Sequence, residues 1–114
     1  MTGVDNLPDI EKIRRIINEW VTYYPRITRV YLFGSYIKRS KVVISDIDIA
    51  VEISHKGDDD AFSLWCSEGD RMEKQLSHLL DYKVDLQWFV GEETPTIKRG
   101  MDEGSMLIYE RISK

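Results

Sequence analysis

Val30-Tyr31-Leu32-Phe33-Gly34-Ser35, ten residues, then Asp46-Ile47-Asp48-Ile49-Ala50-Val51 is the stretch whose reading decides the fold. Four apolar or aromatic residues closed by a glycine are too few for a helix and rich in strand formers. Val30 to Phe33 therefore reads as a buried strand, and Gly34-Ser35 as the turn that ends it. From Asp46 to Val51 the pattern alternates, placing Asp46, Asp48 and Ala50 on one face of a second strand and Ile47, Ile49 and Val51 on the other. The two carboxylates then stand about 6–7 Å apart along the strand. Like charges that close, with no basic residue between them, repel unless a cation or a proton sits between them, so the pattern points to a divalent metal site.

On the N-terminal side, Pro8 to Tyr24 predicts an amphipathic helix. Pro8 suits a first turn, Asp9 and Glu11 complement the dipole, and Ile10, Ile13, Ile17, Trp20 and Val21 recur at helical spacing. Pro25 stops it, and Trp20 and Tyr24 read as its core and rim. Tyr36 to Lys41 is polar and basic, suited to a short helix or turn. A glycine at a strand end lets backbone approach a phosphate closely.

On the C-terminal side, His55 to Asp60 predicts a loop whose Asp58-Asp59-Asp60 run caps the next helix. That helix spans Ala61 to Leu80 with Phe62, Trp65, Met72, Leu76, Leu79 and Leu80 as its stripe and Gly69 as its weak point. Cys66, beside the stripe, reads as a small buried filler, since no His is placed to activate it. In Tyr82 to Val90, Val84, Leu86 and Trp88 alternate with Asp85 and Gln87, the mark of a third strand. Strands avoid aspartate, and a third carboxylate beside Asp46 and Asp48 gives Asp85 a reason to be there. Thr94 to Asp102 predicts a short helix, Gly104 breaks it, and Met106 to Tyr109 forms a last strand.

The expected fold class is α/β (α+β): a small mixed sheet of Val30–Phe33, Asp46–Val51 and Val84–Phe89 with a short terminal strand, the two long helices on one face and the site on the other. At 114 residues, residues 1–114 read as a single domain. A net charge of −4 and no basic block argue against nucleic acid as a partner. One cysteine, no signal peptide and no long apolar run point to the cytoplasm and away from a membrane. His55 and His78 lie far apart with no Cys/His cluster, which argues against zinc.

Gly34-Ser35, the Asp46-x-Asp48 strand and Asp85 together resemble the minimal nucleotidyltransferases (MNT, MntA-like) of the DNA polymerase β superfamily. The ending Ile97 to Arg111, with its Leu107-Ile108-Tyr109-Glu110-Arg111 strand, is similar to theirs. The resemblance implies an enzyme in which Gly34, Ser35 and Lys38 bind a nucleoside triphosphate, ATP as substrate. Asp46 and Asp48 would hold two Mg²⁺ ions, Mn²⁺ being the alternative; Asp85 would share one and act as base toward the incoming hydroxyl. Such cations stabilise the attacking and leaving oxygens of an in-line displacement. The implied partner is a small helical protein, a HEPN/HepT-like toxin or a substrate-binding subunit, with AMP passing to a toxin tyrosine; self-association stays open. One departure is Arg39, where many relatives have glycine.

A HAD-type phosphatase also uses Asp-x-Asp but needs Thr where Ala50 stands, and a Toprim-like domain needs an acidic residue in Val30–Phe33. The alternative of another class is a non-catalytic nucleotide sensor or scaffold subunit of a two-protein complex.

Overall fold

The computed structural model describes residues 7–38, 46–54 and 60–111. Helix α1 (Ile10–Trp20) begins where the Asp9 carboxylate accepts a hydrogen bond from the Lys12 amide at 2.9 Å. It runs into a 3-10 turn, Val21–Tyr23. Strand β1 (Ile27–Phe33) starts three residues before the apolar run that announced it, because Arg29 reaches both neighbouring strands, to Glu52 and to Glu110, each at 2.9 Å. A short helix α2 (Ser35–Lys38) follows, then β2 (Ile47–Ile53), α3 (Asp60–Leu80), β3 (Val84–Trp88), α4 (Pro95–Glu103) and β4 (Ser105–Glu110).

The sheet is mixed, in the order β3-β2-β1-β4. β1 runs antiparallel to both β2 and β4, whereas β2 and β3 are parallel and joined across α3. A parallel pair requires such a crossover. On one face Val30, Leu32, Ile47, Ile49, Val51, Ile53, Val84, Leu86 and Ile108 meet Ile13, Ile17 and Trp20 of α1 and Met72, Leu76 and Leu80 of α3 in one core. Each fully buried aliphatic side chain there contributes about 1.5–3 kcal/mol. Trp20 and Tyr24 donate to the same Gln75 oxygen, at 3.2 and 2.6 Å, which ties α1 to α3 as their core-and-rim reading requires.

The two long helices share one face as expected, but the other is not bare. Met101 and Ile97 of α4 pack on Phe33 and Ala50 there, with Tyr31 and Phe89 alongside. The α3 stripe is narrower than its sequence implies: Phe62 and Leu79 are exposed. Cys66, expected to be buried, is exposed too. Over 21 residues a fixed apolar spacing drifts round the helix, and only part of the stripe meets the sheet. Gly69 fits because a Cβ there would come within 3.1 Å of the Trp65 ring. Asp60 is the first residue of α3; Asp58 and Asp59, given the capping role, lie outside the described residues, as do His55, Arg39 and Lys41. No described helix is long and apolar enough to cross a membrane.

Candidate active site

β2 is flanked on both sides, so its inward residues are apolar throughout and its acids fall on the α4 face. These are Asp48 and Glu52, separated by fully buried Ala50. Their surroundings differ. Glu52 takes a 2.9 Å ion pair from Arg29 and a 3.0 Å hydrogen bond from the Tyr31 hydroxyl, which make it a structural acid. The same network raises the Arg29 guanidinium pKa, chiefly through its hydrogen bonds to Glu110 and Glu52. Burial, then the Glu52 charge, raises the Tyr31 phenol.

Asp48 instead faces another acid. In the parallel β2–β3 register it pairs with Asp85. Adjacent strands lie about 4.8 Å apart, so two carboxylates on the same face sit within reach of one cation. Like charges so placed repel, and a bound cation would turn that repulsion into attraction. Asp85 Oδ1 accepts a 2.8 Å hydrogen bond from Gln87 Nε2. On the opposite flank Phe33 pairs with Asp48, and the chain turns at Gly34 with φ +76°. A Cβ on Gly34 would overlap Asp48 Oδ2 and lie 3.0 Å from Asp48 Cγ. Glycine there does two things: it takes a left-handed backbone and leaves the space that the carboxylate occupies.

Of the six residues the sequence singles out, the fold thus brings Gly34, Asp48 and Asp85 together. Ser35 opens α2 and Lys38 closes it, on the chain leaving that same turn. Asp46 stands just ahead of β2 rather than in it, and no three His, Cys, Asp or Glu side chains gather into a metal cage among the described residues. Mg²⁺ needs no such cage, since it keeps waters and is held by one or two carboxylates with substrate phosphates. Asp48 and Asp85, all-oxygen and facing each other, fit that cation.

Phe33, Asp48, Asp85 and Gln87 form one side of an open groove of ≈ 470 Å³, and Thr94, Pro95, Thr96 and Ile97 at the start of α4 form the other. The 3-10 turn Gly91–Glu93 and the Thr94 hydroxyl, which accepts from the Val90 amide at 3.1 Å, fix how that helix enters. The groove's second wall was not foreseen from the sequence. A groove of equal volume between α1 and α3 is largely apolar and carries a single carboxylate, Glu19, so it offers no comparable chemistry.

With its carboxylates on adjoining parallel strands and a glycine turn beside them, this architecture is that of a nucleotidyltransferase. The chain belongs to the polymerase β nucleotidyltransferase family, whose model matches residues 11–114. This is the family that Gly34-Ser35, Asp46-x-Asp48 and Asp85 led us to expect. Among curated proteins it is 32% identical over 110 residues to a "putative protein adenylyltransferase" of Methanocaldococcus jannaschii, covering 96% of this chain and 99% of that one. Among solved structures it is similar to a chain in the structure of the tri-AMPylated Shewanella oneidensis HEPN toxin in complex with MNT antitoxin (TM-score 0.61, 23% identity, 90% of this chain and 74% of that one). It is also similar to a toxin–antitoxin structure with AMP-PNP (TM-score 0.60, 23% identity, 86% of this chain and 73% of that one). At these identities the structural matches establish the fold.

Proposed function

We propose that this protein transfers AMP from ATP, with Mg²⁺ or Mn²⁺, to a hydroxyl of a protein partner, a tyrosine of a HEPN-type toxin. The observation that carries the reading is the register that sets Asp48 against Asp85 beside the Gly34 turn. The transfer and the kind of acceptor are supported by the adenylyltransferase name of the archaeal relative and by the AMPylated toxin that accompanies the MNT antitoxin in the Shewanella complex. The AMP-PNP in a related complex supports an adenine nucleotide as the ligand.

Asp48 and Asp85, with Asp46 at the foot of β2, would hold the cation. Bound there, a divalent cation would neutralise charge on the triphosphate and stabilise the attacking and leaving oxygens. The main chain at Gly34 and Ser35, and Lys38 at the end of α2, take the phosphates. Asp85 accepts the proton as the tyrosine oxygen bonds to the α-phosphorus. The bond from that phosphorus to the bridging oxygen breaks on the opposite side, and pyrophosphate leaves. The protein's own part is largely positioning. The chain acts as a single catalytic domain, and the partner supplies the surface that presents the hydroxyl. An acidic chain without a basic block holds a polynucleotide poorly, which favours a protein acceptor.

Intact-mass spectrometry of a co-expressed helical partner tests this. We expect a gain of one or more AMP units with wild-type enzyme and none with Asp48→Asn or Asp85→Asn. A tight complex whose partner gains no mass would refute transfer and leave a sensor or scaffold.

A further inference from the structure

β3 alternates strictly: Val84 and Leu86 enter the core, while Asp85 and Gln87 share the groove face. Gln87 lies in register with Ala50, whose small side chain leaves the neighbouring position on that face without a competing polar group. The Gln87 amide donates to Asp85 Oδ1 at 2.8 Å, and among the described residues neither side chain has another hydrogen-bond partner. An ionised carboxylate only accepts, so it is the NH₂ end of Gln87 that faces it.

We propose that Gln87 is the positioning residue of this site. It ties down one oxygen of Asp85 so that the other is presented toward Asp48 for the cation; this rests on the metal-dependent reading above. A free aspartate on a strand rotates about χ1 and χ2, and each alternative rotamer takes the carboxylate away from its partner. A hydrogen bond from two residues along the same strand removes that freedom. The donor is neutral, and that matters. A lysine or arginine in its place would fix Asp85 equally well but would cancel the charge that attracts the cation, as Arg29 does for Glu52. Groups that hydrogen-bond to metal ligands in this way change affinity or activity by about 10- to 100-fold when lost.

The test is Mn²⁺ binding, read by the paramagnetic resonance of free Mn²⁺ in the presence of α,β-methylene-ATP, which cannot transfer AMP. Gln87→Met, of similar volume but with no donor, should weaken Mn²⁺ about 10-fold or more while leaving the metal-free melting temperature near wild type. The same substitution in an Asp85→Asn background should add no further loss, because the ligand it positions is already gone. Gln87→Leu is the second variant should Gln87→Met not fold. Wild-type affinity in either folded variant overturns the role of Gln87 and leaves the site standing. Absence of Mn²⁺ binding by wild type, or full binding by Asp85→Asn, overturns the site itself.

Discussion

Replacing Gly34 with alanine separates the two reasons for a glycine at that turn. Backbone strain comes first: at φ +76° an L-residue is in the left-handed region, which costs about 1–2 kcal/mol. Collision comes second, since the new Cβ overlaps Asp48 Oδ2 and sits 3.0 and 3.2 Å from Asp48 Cγ and Cβ. The carboxylate must leave its rotamer, at about 0.5–1.5 kcal/mol. Together they cost about 1.5–3.5 kcal/mol, or a fall in melting temperature of about 6–14 °C at ~4 °C per kcal/mol. Gly91 supplies an internal control. Its φ is +53°, but a Cβ there meets nothing within 4 Å, so Gly91→Ala should show the backbone cost alone. Thermal melts of Gly34→Ala, Gly91→Ala, Asp48→Ala and Gly34→Ala/Asp48→Ala then form a cycle, with Gly34 and Asp48 coupled by at least about 0.5 kcal/mol. Gly34→Ala should also abolish stabilisation by ATP and Mg²⁺. Equal melting of the Gly34 and Gly91 variants, with additive behaviour in the cycle, would refute the close approach of the turn to Asp48.

Asp48→Asn should remove the rise in melting temperature that ATP with Mg²⁺ gives wild type. That rise follows mass action, about 2.7 kcal/mol at a ligand concentration 100 times Kd; an equal rise in the mutant contradicts the assignment. The Tyr31 phenol has a raised pKa in the fold, from burial and the Glu52 charge. Its neutral form is therefore the one the fold favours: the stabilisation is complete below the unfolded value near 10 and is lost as pH rises through the folded value. Denaturant melts from pH 9 upward should show Tyr31→Phe losing less stability than wild type, and parallel curves would contradict this.

The strands and their faces were legible because a period of two is hard to mistake: Asp48 against Ile47 and Ile49, and Asp85 against Val84 and Leu86, assign sides without any tertiary information. Pairing Asp48 with Asp85 is a matter of register across the α3 crossover, which no local pattern encodes. The location of α4 was equally hidden. Thr94 and Pro95 mark where a helix starts, but only packing on Phe33 and Ala50 puts that start over the groove. Glu52 shares the alternation of Asp48 and looks the same in sequence. Arg29 and Tyr31, more than 20 residues away, make it an ion-pair member instead. Phe62, Leu79 and Cys66 misled for the opposite reason, since helical spacing assigns a stripe but not how much of it the sheet covers. Gln87 was visible beside Asp85 on one strand face, and only its 2.8 Å hydrogen bond gives it a task.

The central claim is that Asp48 and Asp85 serve the transfer of AMP to a protein hydroxyl, and the most direct measurement follows the label. The enzyme is incubated with the helical partner proposed above, Mg²⁺ and ATP labelled at either the α- or the γ-phosphate, and label retained on the denatured partner is counted. The account predicts retention from the α position only, loss of it in Asp48→Asn and Asp85→Asn with their folds intact by circular dichroism, and release of an equal amount of pyrophosphate. Retention from the γ position, or undiminished α-label in either variant, would contradict it.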